Sequence, residues 1–293
     1  MVNVRKPVWL KSEKLGAKKA REIIKNLRKY NLHTVCESAK CPNQGECFER
    51  GTATFMILGE TCTRNCTFCA VDKTRKILSP PDPNEPKAIA ELSRELGLKH
   101  VVITTVTRDD LSDGGAEQFV KVVKEIKKIC GNDITVEILT SDFNGDPEQV
   151  QKVVNAAPDI FNHNVETIPR LYAEVRPMAD FQRSISVLIK AKNCNPAILT
   201  KSGFMVGLGE SQTEVLSLLR ELRKADVDII TIGQYIAPSK EHYPVTEYVH
   251  PDIFKYYQSE GEKMGFKIVE SAPLVRSSYQ AEKARKFITK PLN

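Results

Sequence analysis

What most restricts the fold of this chain is the regular exchange of strand-like and helix-like stretches between residues 52 and 264. TATFMIL (52–58) precedes a helical pattern over 85–96 closed by Gly97, and HVVITTV (100–106) precedes one over 116–129 closed by Gly131. ITVEILTS, PDIFNHNVE, AILTKSGFMVG and DIITIGQYI then each lead into helical or turn segments. Such alternation predicts about six βα units and a parallel sheet, since parallel neighbours need a crossover between them. A closed barrel takes eight strands, so the expectation is an α/β fold with an open, partial (β/α)6 barrel, its reactive groups on loops leaving the carboxyl ends of the strands. Residues 1–51 and 265–293 are then N- and C-terminal extensions to a barrel over 52–264. No internal repeat or low-complexity tract interrupts the pattern.

Composition narrows the function classes. A hydrophobic content of 41% and a charged content of 27% are ordinary for a globular protein. No apolar run approaches the roughly 20 residues of a membrane-spanning helix, so no membrane association is expected. The net charge of +6 is unevenly spread: residues 1–30 carry +8 and the rest −2. That basic stretch has no apolar signal core and favours Lys over Arg, which argues against a presequence and for a cytoplasmic protein. Leu15, Ile23, Ile24, Leu27 and Tyr30 fit one helical stripe, which reads either as a solvated Lys-rich helix with one packed face or as a docking surface for an acidic partner. Without interleaved aromatics or a nucleic-acid-binding motif, nucleic acid is not expected.

Directly after the first strand, GETCTRNCTFCAVDK places Cys62, Cys66 and Cys69 within eight positions. Clustered cysteines in a reducing compartment are more often metal ligands or redox groups than disulfides. Structural zinc takes four closed ligands and a ferredoxin-type cluster four thiolates, so three point to a four-iron cluster with one iron left open. Cys36, Cys41 and Cys47 in CESAKCPNQGEC have a different x4, x5 spacing and imply a second cluster that wants a further ligand. Cys130 and Cys194 lie near predicted helix ends, where a buried thiol is the commoner explanation.

A Cys-x3-Cys-x2-Cys loop with Phe68 before its last cysteine, after the first strand of a βα series, resembles the radical S-adenosylmethionine superfamily. There the open iron chelates the amino and carboxylate groups of S-adenosylmethionine, and one electron cleaves the sulfonium to give a 5′-deoxyadenosyl radical that abstracts hydrogen from unactivated carbon. Such chemistry belongs to the cofactors, and no side-chain acid, base or nucleophile is required. The resemblance implies further cofactor contacts: Phe68 in the cysteine loop, Gly114 and Gly115 near the methionine amino group, Asn164 and Glu166 at the ribose. By residue type alone, the two glycines read as a turn before a helix and His163 as a packed histidine. GLGES (207–211) is glycine-rich, but Ser211 and Glu214 form a capping box that starts a helix.

From Cys36 onward, CESAKCPNQGEC, GETCTRNCTFCAVDK, TTVTRDDLSDGGA, FNHNVETIPRLY, KSGFMVGLGE, GQYIAPS and VRSSYQA occur in an order that resembles the lipoyl synthase family. The resemblance implies that the x4, x5 triad holds an auxiliary [4Fe–4S] cluster whose fourth ligand is a serine of Arg276–Tyr279, Ser278 being favoured and Ser277 the alternative. Read without it, that serine pair is a turn or helix cap. A hydroxyl oxygen is a harder donor than thiolate and releases its iron more readily, as suits a cluster dismantled for its sulfur. The implied reaction inserts two sulfur atoms at the sixth and eighth carbons of an octanoyl-lysine on a carrier domain, consuming two S-adenosylmethionine. Implied partners are that carrier, an electron donor such as ferredoxin or flavodoxin, and an iron–sulfur carrier that rebuilds the auxiliary cluster. The competing expectations are a sulfur-inserting radical enzyme acting on a free small molecule, a two-cluster electron-transfer protein, and a structural zinc protein.

Overall fold

The computed structural model describes residues 6–10, 17–38, 41, 43–74, 77–131 and 133–288, with the side chains at 17–20, 22, 38 and 44 left outside the description. Lys14 and Leu15, and the side chains of Lys18 and Lys19, therefore lie outside the described residues.

After a single 3-10 turn at Val8–Leu10 come α1 (Ala17–Lys29), β1 (His33–Thr34), α2 (Val35–Ser38) and α3 (Gln44–Glu49). The barrel follows as β2 (Thr52–Ile57), α4 (Glu85–Glu95), β3 (His100–Thr105), α5 (Ala116–Cys130), β4 (Thr135–Leu139), α6 (Pro147–Asn155) and β5 (Ile160–Asn162). It continues through α7 (Tyr172–Val175), α8 (Phe181–Cys194), β6 (Leu199–Val206), α9 (Gln212–Lys224), β7 (Ile229–Gln234), α10 (Pro251–Lys263) and β8 (Ile268–Ser271). The strands form one sheet in chain order, parallel from β2 to β8, with β1 antiparallel on the β2 edge. This is the expected partial barrel: each of the strands β2 to β7 is followed by a helix, and each extension adds a strand at an edge.

The local chemistry explains these boundaries. Strands β2, β3 and β7 are near-continuous apolar or β-branched runs, as strands covered on both faces require. Asp146 and Asp180 accept hydrogen bonds from first-turn amides of α6 and α8, and Ser211 with Glu214 closes a capping box on α9. In α1, Ile23 and Leu27 are buried, whereas Arg21, Lys25, Arg28 and Lys29 are exposed, so the helix has the packed stripe and solvated basic face expected of it.

The open side of the barrel is filled by the chain after β8. Gln234 at the carboxyl end of β7 donates its backbone N–H to Pro273 O at 3.2 Å. Further on, the Glu282 carboxylate meets Arg50 at 3.4 Å and Thr52 Oγ1 at 3.3 Å, at the start of β2. Ala284 is buried against Ile160, Leu199 and Ile229, the first residues of β5, β6 and β7. The segment thus crosses the barrel interior from the carboxyl to the amino ends of the strands. Gly233 permits this passage: a Cβ there would come 2.1 Å from Val275 O.

Inside the barrel lies a buried ionic cluster. Lys201 Nζ donates to both oxygens of Glu137, at 2.9 and 3.1 Å, and His100 Nε2 lies 3.3 Å from Glu137 Oε2. Burial alone would raise the Glu137 pKa, but Lys201, and after it His100, outweigh burial and hold it at about 2. An ordinary glutamate titrates near 4.3, so the pair's contribution is complete above about pH 4.5 and is lost as pH falls toward 2. Glu137→Ala, which strands Lys201 in the interior, is expected to destabilise the protein by roughly 3–5 kcal/mol at pH 7. In denaturant unfolding the difference from the unsubstituted protein should shrink between pH 4.5 and 2. A difference that stays constant over that range would contradict the assignment.

Candidate iron–sulfur and cofactor site

The loop after β2 carries Cys62, Cys66 and Cys69 at the carboxyl ends of the strands, as expected, and has almost no regular secondary structure of its own. Thr61 bridges to Asp72, and Cys62 N donates to Asp72 O at 2.8 Å, which closes the loop at its base. Lys73 Nζ donates to Cys66 O at 2.7 Å and Cys69 O at 2.9 Å, so one ammonium gathers the carbonyls of two of the three cysteines. Thr67 N donates to Val175 O and Tyr243 N to Thr67 O, each at 3.0 Å, tying the loop tip across the barrel mouth.

The strongest anchor is Arg64, only 4% exposed. Its guanidinium binds Asp109 in bidentate fashion at 2.8 and 2.9 Å, Asp142 Oδ1 at 2.6 Å and Asn144 Oδ1 at 2.9 Å. Arg183 of α8 reaches the other oxygen of Asp142 at 2.7 Å. Although Asp142 is fully buried and burial alone would raise its pKa, Arg64 holds it far below the usual carboxylate range. None of these anchor residues stood out in the sequence.

Beside the loop is a cavity of about 140 Å3 lined by Arg64, Cys66, Thr140, Asn164, Glu166 and Arg176, among others. Glu166 has φ 65°, in the left-handed region a non-glycine residue rarely adopts, and is fixed there by a bridge to Phe204. Burial pushes its carboxyl pKa up, against the opposing effect of Arg176. The Arg176 guanidinium binds the carbonyls of Asn164 and Val165, each at 3.1 Å. His163 also lines the cavity; burial, followed by the Arg176 charge, lowers its pKa to about 4, so its ring is neutral at pH 7. Thr140 Oγ1, His163 Nε2 and Arg176 Nε are buried there without partners. Three unpaired polar atoms around one cavity fit a polar ligand better than a dry void.

Of the residues expected at the cofactor, the structure brings together Cys66, Asn164 and Glu166 on this cavity. Phe68 packs on the hydrophobic cluster built from β6, β7, β8 and the helices α7 to α10. Gly114 and Gly115 start α5, where Asp113 accepts from Gly115 N at 2.9 Å, and a Cβ on Gly115 would strike Leu58 at 2.2 Å. Their turn role is thus fully explained by packing. A larger cleft of about 380 Å3, between Tyr30–His33 and Leu78–Asp82, includes none of the six triad cysteines.

The second triad is assembled by the N-terminal extension. Cys41 N donates to Cys36 O at 2.9 Å, and Cys47 N to Asn43 O at 3.0 Å. The three thiols feel one another: a hydrogen bond from Cys36 lowers Cys41 to about 7, Cys36 is pushed well up in turn, and burial followed by Cys41 raises Cys47 to about 12. In the first triad burial raises Cys66, and takes Cys69 to about 11. Thiols of this kind ligate metal only on losing their protons, and both donor sets suit the soft iron of a cluster. Among the described residues, no three His, Cys, Asp or Glu side chains are gathered tightly enough for a single metal ion. The C-terminal segment reaches the second triad, since Asn43 Nδ2 donates to Leu274 O at 2.6 Å and Arg276 faces Cys41. Cys130 lies elsewhere, its thiol donating to Ala90 O at 3.4 Å, and Cys194 packs on the core.

Comparison with known proteins agrees with this geometry. The Radical SAM superfamily profile matches residues 56–222. The chain is 55% identical to a lipoyl synthase of Caldanaerobacter subterraneus subsp. tengcongensis, over 96% of this chain and 97% of that one. It is 53% identical to a lipoyl synthase of Caldicellulosiruptor saccharolyticus, over 98% and 100%. The crystal structure of methylornithine synthase superposes with a TM-score of 0.57 at 14% identity, covering 94% of this chain and 97% of that one, a likeness of fold alone.

Proposed function

This chain belongs to the lipoyl synthase family of the Radical SAM superfamily, and from that premise we propose that it inserts sulfur at the sixth and eighth carbons of an octanoyl-lysine borne by a carrier domain. Family membership makes it a sulfur-inserting enzyme that uses S-adenosylmethionine and [4Fe–4S] chemistry. When bound, these groups supply hydrogen abstraction from unactivated carbon and the sulfur itself. The protein's part is to hold, orient and exclude water.

In this reading Cys62, Cys66 and Cys69 hold one cluster and leave its fourth position to S-adenosylmethionine. Arg64 and Lys73 fix the loop so that the three sulfurs keep one orientation. Asn164 and Glu166 receive the ribose, with Arg176 and neutral His163 as further polar contacts on the same cavity. Gly114 and Gly115, whose turn is set by packing against Leu58 and Phe143, are read as backing the methionine group, and Phe68, beside Cys69, as a further cofactor contact. Cys36, Cys41, Cys47 and Ser278 hold the second, sulfur-donating cluster. What supports Ser278 over Ser277 is that the Ser277 hydroxyl is already engaged, accepting from Asn162 Nδ2 at 3.0 Å and donating to Asn164 Oδ1 at 3.2 Å. The single observation that carries the reading is the convergence of a three-cysteine loop, a polar cavity and a second three-cysteine segment on a barrel closed by the chain's own C-terminal residues.

The carrier is read as docking on α1. The buried side of that helix packs against β1 and against α3, which carries Cys47, and its basic residues are left exposed on the outside of the same extension. An acidic carrier would be drawn to that exposed basic face by charge complementarity. Electron delivery by a ferredoxin or flavodoxin and rebuilding by an iron–sulfur carrier belong to the same reading, as does a cytoplasmic location; no described helix is long and apolar enough to cross a membrane.

Anaerobic reconstitution followed by assay with an octanoyl-lysine peptide should give about two 5′-deoxyadenosine per lipoyl product, one for each carbon activated. Turnover of free octanoate in preference to the peptide would favour the small-molecule reading, and absence of S-adenosylmethionine cleavage under strong reductant the electron-transfer one. Replacing Arg21, Lys25 and Arg28 together by Glu is expected to weaken binding of an octanoylated acidic carrier about tenfold or more at low salt, with less effect at high salt. Affinity equal to that of the unsubstituted protein would remove α1 as the docking surface.

A further inference from the structure

A ligand supplied by the C-terminal segment poses a mechanical problem. Arg276–Tyr279 has no regular secondary structure, and a hydroxyl is too weak a donor to organise a free segment around an iron. Something else must hold Ser278 in place, both before the cluster is built and after its iron is released.

The structure contains a continuous buried chain of polar contacts that ends beside that residue. His100, Glu137, Asn162 and Lys201 project from β3, β4, β5 and β6, and each is at most 2% exposed. Lys201 grips both oxygens of Glu137, and Glu137 Oε1 also accepts from Asn162 Nδ2 at 2.8 Å. The same Asn162 amide donates to Ser277 Oγ at 3.0 Å, and the Ser277 hydroxyl donates in turn to Asn164 Oδ1 at 3.2 Å. A buried ion pair adds little net stability over an apolar pair of the same shape, whereas it fixes geometry strongly. Its position here, at the root of a hydrogen-bonded line to an otherwise irregular segment, matches that use.

We propose that Ser277 is the tether that positions Ser278 toward the second cysteine triad, and that Asn162, held by the Lys201–Glu137 pair, is its anchor. The inference rests on the reading of Ser278 as ligand. Two adjacent serines then have divided duties: one hydroxyl binds the barrel wall, and its neighbour is left for the metal. Because the tether is independent of iron, the segment stays in register when the Ser278 contact is broken, and the site can be refilled without refolding. Ser277, Asn162, Glu137 and Lys201 are positioning residues and touch neither substrate nor cofactor in this scheme.

The test begins with metal-free protein, where no ligand role can contribute. Amide hydrogen exchange across residues 272–281 is expected to rise about tenfold in Ser277→Ala and in Asn162→Ala, as loss of one such hydrogen bond implies. Exchange in β2 to β4 should stay as in the unsubstituted protein, Ser277→Thr should restore slow exchange by keeping the hydroxyl, and Ser278→Ala should leave metal-free exchange unchanged. After reconstitution, Ser277→Ala should alter the Mössbauer signature of the auxiliary centre and leave the centre at Cys62, Cys66 and Cys69 as it was. Unchanged exchange in both Ser277→Ala and Asn162→Ala overturns the tether, and raised exchange with an unaltered auxiliary signature overturns its positioning role. An unaltered auxiliary signature in Ser278→Ala overturns the ligand reading and the tether's purpose together, and that variant alone tells the two failures apart.

Discussion

One buried guanidinium fixes the cysteine loop that is proposed to hold the first cluster. The cysteine loop after β2 contains almost no helix or strand, and left to itself would sample many arrangements of its three thiols. Arg64, in the middle of the loop, is drawn inside by Asp109 and Asp142, with Arg183 balancing the second carboxylate. Breaking such a buried set by removing one member typically costs 3–5 kcal/mol. The loop therefore behaves as a rigid shelf joined to the ends of β3 and β4 and to α8. Lys73 completes it by binding two cysteine carbonyls, so the sulfurs are ordered by contacts that do not themselves require iron.

A second constraint acts from the other end of the chain. An open barrel leaves an interior that must be filled, and residues 272–287 fill it, running past Asn162 and Asn164 to the hydrophobic floor at Ile160, Leu199 and Ile229. The same segment meets the N-terminal extension through Asn43 and Leu274, and through Tyr279 and Glu46. Both extensions are thereby brought into contact on the open side of the barrel, where Asn43 and Arg276 set the second cysteine triad beside the C-terminal chain. Filling of the open barrel and contact between the two extensions follow from the same path of the C-terminal chain.

Much of this was legible in the sequence, for identifiable reasons. Strands covered on both faces are written as apolar runs, so β2 to β7 fell where TATFMIL, HVVITTV and their successors placed them. Thiolate spacing is local, so both triads could be read from a dozen residues each. Arg64 could not: its partners Asp109 and Asp142 lie 45 and 78 residues away, and in sequence it is one more basic residue in a loop. His100, Glu137 and Lys201 were hidden in the same way, since a polar residue in a strand gains meaning only from the register that sets it opposite another. The left-handed backbone at Glu166 carries no glycine to announce it. His163 was expected as a packed histidine; the structure packs it and also leaves its Nε2 facing an unfilled hydrogen-bonding role.

The central claim is that the Cys62, Cys66 and Cys69 loop offers three sulfur ligands and no more. The most direct measurement is Mössbauer and electron–nuclear double resonance spectroscopy of the 57Fe-reconstituted protein, with and without S-adenosylmethionine isotopically labelled in its amino and carboxylate groups. The account predicts that a single iron of one cluster shifts on addition and couples to the labelled atoms, with the auxiliary cluster unaffected. A cluster whose four irons are all held by the polypeptide, with no coupling to the added compound, would contradict it.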